Sequence, residues 1–433
     1  MTTDTYSTLD LINPTLIGLA ESDTLAINER SKKLISEGKT VYRFGLGQSP
    51  FPVPDSVVKA LRLNAPQKDY LPVRGLPALR EAVADFHRRK DGINAQPEYV
   101  LIGPGSKELL FLLQLAFRGE VIIVSPSWVS YVPQAKILGK KISIIHSNYE
   151  DQWQLSPKLF KTFLEARAKK NDPAVLIMNY PCNPDGITFN EDDLMEIAAL
   201  AKDYNIMILS DEIYGQLHHK GHHISISKFY PEGTIISSGI SKWCGAGGWR
   251  LGTFTFPANL HWLLDKMAVV ASETYTSVSA PIQYAAIQAF KGGLEIEEYL
   301  WHVRRILFSL GQECADILID AGVKTHRPIG GFYLFLDFSA FSEKLKSRGI
   351  TTSSQLCSRL LDETGVAILH GSAFNRNENE FTARMAYVDF DGASVLSASK
   401  TIPLHEPLPN DFNKYYCPKV ILGVIKINEW LKK

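Results

Sequence analysis

Three short apolar runs in the middle of the chain restrict the folds open to it. Ala174-Val175-Leu176-Ile177-Met178, Ile206-Met207-Ile208-Leu209-Ser210 and Thr234-Ile235-Ile236-Ser237-Ser238 have strand length and β-branched content. Each gives way to polar or turn-forming residues. The first leads into Asn179-Tyr180-Pro181-Cys182-Asn183-Pro184-Asp185-Gly186, the second into Asp211-Glu212-Ile213-Tyr214, and the third into Lys242. Asn183, Asp211 and Lys242 follow one another at intervals of 28 and 31 residues, each about the length of a strand–helix–strand unit. Such units build a mostly parallel sheet between helices, and open sheets of that kind bind ligands at the carboxyl ends of their strands. An amide, a carboxylate with a phenol, and a lysine are therefore expected along one end of one sheet.

The lysine sits in Ser237-Ser238-Gly239-Ile240-Ser241-Lys242-Trp243-Cys244-Gly245-Ala246-Gly247-Gly248-Trp249-Arg250-Leu251-Gly252, with no carboxylate between Lys242 and Arg250. The glycines exclude a regular helix and let the backbone approach a ligand closely. Two readings follow from these residues alone. Lys242 is presented for Schiff-base chemistry and Arg250 for a phosphate, or the stretch is a glycine-rich loop with two solvated cations.

The ordered set of motifs resembles the class I and II aminotransferases of fold type I, enzymes that use pyridoxal 5′-phosphate (PLP), and the resemblance covers most of the chain. It implies an α/β fold: a large PLP-binding domain, its mostly parallel sheet lying between helices, and a smaller α+β domain. Under it Lys242 is the Schiff-base lysine, Asp211 the partner of the pyridine nitrogen, and Asn183 with Tyr214 the pair at the phenolic oxygen. Arg250 meets the phosphate, as do Gly105 and Ser106, which stand where a strand at 99–103 gives way to an apolar helix. Trp128 stacks on the ring, and Tyr70 crosses from one subunit of a homodimer to the other subunit's phosphate. Gly47 meets substrate through its backbone, and Arg384 grips the α-carboxylate. Lys107, together with Ser22-Asp23-Thr24, resembles the dicarboxylate-using branch and implies an acidic amino donor.

Each of these residues has a plainer reading. Gly47 serves as a turn glycine, Tyr70 and Trp128 as packing aromatics, Gly105 and Ser106 as a helix cap, Lys107 as a solvated cation and Arg384 as a solvent-facing strand residue. Some positions depart from the family pattern. Gln48-Ser49-Pro50 replaces the common Glu-Pro-Asp, Asp185 stands where Thr is common, Gly239 replaces a frequent Ser, and His370 replaces a usual Pro. Cys182 lies beside Asn183 with no feature that activates a thiol.

Length and charge bound the rest. The chain has 433 residues, with 46 Lys plus Arg against 46 Asp plus Glu, so no net field draws nucleic acid or an anionic membrane. Five scattered cysteines without metal spacing read as reduced thiols of a cytoplasmic protein. Met1-Thr2-Thr3-Asp4-Thr5-Tyr6 shows no basic start to a secretory signal, and no apolar run nears the roughly 20 residues of a spanning helix. His218-His219-Lys220-Gly221-His222-His223 invites a metal, but adjacent histidines on a hairpin face opposite ways and no carboxylate or cysteine completes the set. No metal is expected.

The expected division is an N-terminal segment at 1–45 that joins the small domain, a large domain at 46–300, and a small domain at 301–433. Helices are expected over 22–38, after Pro77, at 302–320 and at 418–431, and small-domain strands at 331–336, 366–369 and around Arg384. The expected partners are a small amino acid and a 2-oxo acid, and the expected reaction is transamination. Two alternatives use the same residues: PLP-dependent elimination, such as a C–S lyase, and a non-catalytic regulatory module on the same fold.

Overall fold

The computed structural model describes residues 11–167 and 172–433. Met1 to Tyr6, the stretch read for a signal, lies outside the described residues. A seven-stranded sheet runs from one edge to the other as Val100–Gly103, Gly252–Thr255, Thr234–Gly239, Ile206–Asp211, Ala174–Asn179, Glu120–Ser125 and Ile142–His146. Six strands share one direction, and Gly252–Thr255 is antiparallel to both its neighbours.

The three apolar runs are continuous because both faces of this sheet are covered. Val175, Ile177, Met207, Leu209 and Ile235 enter one core with Leu109 and Leu113 of helix Ser106–Ala116 and Leu263 and Met267 of helix His261–Glu273. Leu176, Met178, Ile206 and Ile208 enter another with Phe160 and Leu164 of helix Pro157–Ala166 and Leu194 and Ile197 of helix Glu191–Asp203. Register then sets the chemistry. Asn179 lies opposite Asp211, and Asp211 opposite Ser237, so polar residues of three strands stand side by side.

A second, antiparallel sheet joins Leu369–His370, Thr382–Ala386 and Tyr333–Asp337 in that order. It shares a core with the long helix Leu294–Asp320 and the C-terminal helix Pro418–Lys432. Tyr42–Arg43 pairs in parallel with Val366–Ala367, so the single strand expected at 366–369 is divided between two sheets. A four-residue apolar run carries no mark of that division.

The helix expected at 302–320 starts instead at Leu294. The break before it is Gly292-Gly293, at φ +72° and +112°, conformations that glycine adopts freely. The division expected between residues 300 and 301 therefore falls inside one helix. Tyr99 closes a short 3-10 turn rather than opening a strand. Helix Pro77–Asp91 buries Leu79, Ala82, Val83 and Phe86 as its periodicity requires. Among the described residues no helix is long and apolar enough to cross a membrane.

Candidate active site

A cavity of about 450 Å³ opens at the carboxyl ends of the central strands. Gly47, Ser106, Lys107, Trp128, Asn183, Asp211, Tyr214, Lys242 and Arg250 all line it. The Lys242 ammonium donates to the Gly47 carbonyl at 2.8 Å and lies 5.6 Å from the centre of the Tyr214 ring. Burial first, then repulsion from Arg384 and Arg250, pulls its pKa down to about 8. A fraction of the neutral amine, the nucleophilic form, is thus present near neutral pH.

Around Arg250 the glycines have steric reasons. Gly105 sits at φ +91°, and a Cβ there would fall 2.2 Å from Arg250 Nη2. A Cβ on Gly252 would fall 2.1 Å from the backbone nitrogen of Ser106. The arginine strand therefore approaches the start of helix Ser106–Ala116 only because both positions lack side chains. Arg250 itself is left-handed at φ +55°, exposed, and donates to the carbonyls of Gly247 at 2.9 Å and Pro104 at 3.3 Å. A guanidinium beside a helix start suits an anion such as a phosphate.

Asp211 is 4% exposed and accepts hydrogen bonds from Tyr131 Oη at 2.7 Å and Ser237 Oγ at 3.0 Å. Burial raises its pKa while the hydrogen bonds oppose the rise. The Asn179 side chain donates to the Asp211 carbonyl at 2.7 Å and accepts from the Asn183 N–H at 2.8 Å. Trp128 packs edge-on against Tyr131, their ring centres 5.2 Å apart. The Lys107 ammonium is 5.5 Å from the centre of the Trp128 ring, and burial, then Arg250, lowers its pKa.

Arg384 does not face solvent. It is 2% exposed, donates from Nη1 to Asn183 Oδ1 at 3.1 Å and from Nη2 to the Gly45 carbonyl, and holds its guanidinium 4.9 Å from the centre of the Tyr333 ring and 5.0 Å from that of Phe374. Its contacts are neutral. A desolvated guanidinium so placed favours a carboxylate ligand. Tyr70, by contrast, is 89% exposed and stands apart from the cavity lining of its own chain. Ser22-Asp23-Thr24, at the start of helix Asp23–Ser36, is also absent from that lining.

Several residues escaped the sequence reading. Asn179 ends its strand and Ser237 lies within the neighbouring one, both beside Asp211, positions that become visible once register is known. Tyr131 stands three residues after Trp128, close to one helical turn. Tyr333, in the apolar run Phe332-Tyr333-Leu334, gave no sign of its hydroxyl's partner, Tyr214 Oη, at 2.7 Å. The histidine stretch is not a hairpin. It follows a short 3-10 turn, His218 bridges to Gly330, and a carboxylate does face it: His223 Nε2 lies 2.8 Å from Glu212 Oε2. Among the described residues no group of three or more His, Cys, Asp or Glu is placed to hold a metal ion. Burial and the neighbouring Asp185 push the Cys182 thiol well up, against formation of the thiolate.

Residues 39–388 match the family model for aminotransferase class I and II. An aspartate aminotransferase from Bacillus sp. (strain YM-2) is 31% identical over 379 residues, 85% of this chain and 92% of the relative. An aspartate/prephenate aminotransferase from Thermus thermophilus is 30% identical, covering 82% of this chain and 89% of its own length. A solved structure of the Thermus thermophilus aspartate aminotransferase with maleate superposes with a TM-score of 0.82 at 25% identity, over 96% of this chain and 99% of that one.

Proposed function

The chain belongs to the class I and II aminotransferases, and we propose that it moves an amino group between an L-amino acid, aspartate or glutamate for preference, and a 2-oxo acid. Members of this family use PLP, and the chain is a PLP-dependent aminotransferase of fold type I. The observation that carries the site assignment is the half-buried Lys242 amine, lowered toward neutrality, in a cavity that also holds the Asp211 carboxylate and the Arg250 guanidinium.

The residues fit the cofactor. The cavity volume of about 450 Å³ lies in the range of roughly 300–1,000 Å³ common for small-ligand sites. Asp211, buried and raised in pKa, has a use for a cationic partner such as a protonated ring nitrogen. When bound, PLP supplies an electron sink for charge developing at the substrate Cα. Arg250 and the helix start at Gly105 and Ser106 would hold its phosphate, Trp128 its ring face, and Asn183 with Tyr214 its phenolic oxygen. Lys242 Nζ would be the tether and then the group that takes and returns the Cα proton. Arg384 would bind the substrate α-carboxylate, and Lys107 a side-chain carboxylate.

Incubation with aspartate and 2-oxoglutarate tests this reading. Oxaloacetate and glutamate should appear in equal amounts, with a visible absorbance band that responds to either substrate. Release of ammonia and pyruvate from cysteine without amino transfer would establish elimination instead, and an inert protein that binds PLP would establish the regulatory reading.

The exposed Tyr70 is in keeping with a homodimer in which each subunit completes the other's site. Mixing inactive Tyr70→Phe and Lys242→Ala proteins should then restore partial activity, and a fully active monomer would exclude it. The division at 1–45, 46–300 and 301–433 is proposed with the long helix Leu294–Asp320 as the link. Limited proteolysis that cut outside the neighbourhood of that helix would argue against it. The scattered cysteines favour a cytoplasmic setting, which cell fractionation would test.

A further inference from the structure

We infer that Tyr333 is a positioning residue that couples the two ends of the site, orienting Tyr214 through its hydroxyl and Arg384 through its ring. The inference rests on the aminotransferase reading above and extends it to a residue that touches the functional groups from behind.

Three observations meet on this one side chain. The Tyr333 and Tyr214 hydroxyls are 2.7 Å apart, both buried. The Arg384 guanidinium lies 4.9 Å from the centre of the Tyr333 ring. A Cβ on Gly47 would fall 2.0 Å from Tyr333 Oη, so the hydroxyl also occupies the space that keeps position 47 a glycine, and Gly47 in turn receives the Lys242 ammonium. Tyr333 belongs to strand Tyr333–Asp337, and its register partner Ala386 lies on the strand that carries Arg384. The ring is held by the sheet rather than by a loop.

The direction of the hydroxyl pair follows from counting hydrogens. A phenol has one hydrogen to give and can accept as well. Tyr214 lines the cavity and Tyr333 does not. If Tyr333 gives its hydrogen to the Tyr214 oxygen, the Tyr214 hydrogen is free to point at a ligand oxygen, and donation into Tyr214 strengthens it as a donor. With the pair reversed, Tyr214 would have no hydrogen left for the ligand. The ring does a separate job: a cation over an aromatic face in a desolvated setting is attracted without needing a counter-ion. Arg384 therefore stays unneutralised and available to a carboxylate. One residue thus serves the donor at the cofactor oxygen and the clamp for the substrate.

Two variants separate the two jobs: the hydroxyl is read from the cofactor band without turnover, and the ring from KM. Tyr333→Phe keeps the ring and removes the hydroxyl. The midpoint of the pH titration of the visible cofactor band should move up by about 0.4 to 1 pH unit, the equivalent of one neutral hydrogen bond, while KM for the amino acid stays within about 2-fold of wild type. Tyr333→Leu removes the ring as well, and KM should rise by about 10-fold or more beyond the Phe variant.

In a Tyr214→Phe background, Tyr333→Phe should leave the midpoint where it is, because its route to the cofactor oxygen has gone. An unmoved midpoint in Tyr333→Phe, or additive shifts in the double variant, overturns the hydroxyl role. Equal KM values in the Phe and Leu variants overturn the ring role. If Tyr333→Leu fails to fold, the hydroxyl role is still decided by the Phe variants, and Tyr333→Trp, which keeps a ring face, replaces Leu in testing the ring: its KM should stay near that of Phe, and a rise of about 10-fold overturns the ring role. A wild-type protein with no visible band would sink the aminotransferase reading itself, a result distinct from any of these.

Discussion

Arg250 lines the cavity, Arg384 lies behind Asn183 and outside the lining, and the chain treats the two guanidiniums in opposite ways. Arg250 is exposed, sits in a left-handed turn among glycines, and rests on two peptide carbonyls. Arg384 is buried on a strand, bonded to an amide and a carbonyl and stacked over two aromatic rings. Under the proposed reading the first is an open mooring, where charge is screened by water and the backbone of a helix start would share the work. The second is a dry clamp, where each unmet charge is expensive and geometry decides. A cofactor that stays bound can use the first kind, whereas a substrate that must be selected in every cycle gains from the second.

Lys242 stands between these regions and feels both arginines, so its removal should have the largest effect. Lys242→Ala should abolish amino transfer while retaining PLP through the Arg250 side, because tether and proton carrier vanish together. Turnover near the wild-type rate in the alanine variant ends the assignment. Borohydride reduction of the wild type should fix the pyridoxyl group on Lys242, as peptide mapping would show.

The contrast between the arginines is tested by the same substitution at each. Arg384→Lys should lower kcat/KM by about 100-fold, or roughly 2.7 kcal/mol, since an ammonium cannot reproduce the fork that meets a carboxylate in two places. Arg250→Lys should weaken PLP binding by only about 10-fold, because the helix-start amides remain. Comparable losses at both positions would remove the distinction between mooring and clamp.

Asp185 belongs to the buried side, two residues from Asn183. Its Oδ1 accepts from the Ile187 N–H at 2.8 Å, and burial raises its pKa to about 7. With the folded pKa above the unfolded one, the group stabilises the fold fully below the unfolded value of about 4. That stability is lost as pH rises toward 7, by on the order of 3–4 kcal/mol. Asp185→Asn stays neutral throughout. Its melting temperature should fall less than that of wild type between pH 4.5 and 7.5, and should be the higher of the two at pH 7.5. Parallel curves would show that Asp185 is ionised and solvated in the native protein.

How much of this was legible in the sequence follows the same divide. On the mooring side strand, glycine turn and cation are contiguous from Ser237 to Arg250, so Lys242 and Arg250 could be proposed from spacing, glycine content and resemblance, and Gly105 with Ser106 from a second strand-to-helix turn; that Arg250 reaches Pro104 across 146 residues was no more visible than the clamp. The clamp side is built from pairings across more than 100 residues. Asn183 meets Arg384, and Tyr214 meets Tyr333, with no local pattern to announce either. Arg384 read from its strand alone should have faced water. Only the sheet register and the aromatic faces of Tyr333 and Phe374 explain why it does not. The break at Gly292-Gly293 was written in the sequence, whereas the split of residues 366–369 between two sheets was not.

Lys107, with an effect no larger than that of Arg250→Lys, gives the sharpest test of the open side. It lines the cavity 5.5 Å from the centre of the Trp128 ring, and burial with the neighbouring Arg250 lowers its pKa. Lys107 is exposed, and its ammonium, lowered in part by Arg250, would gain from an anion between the two cations. Such an anion is either the substrate's second carboxylate or the cofactor phosphate, and the two differ in what they predict. If Lys107 reads the side chain, Lys107→Ala should raise KM for aspartate by about 10-fold, or roughly 1.4 kcal/mol, and leave that for phenylalanine nearly unchanged. If it serves the phosphate, both donors should suffer alike and PLP affinity should fall with them. A uniform loss would assign Lys107 to the mooring and leave acidic side chains without a cation to recognise them there.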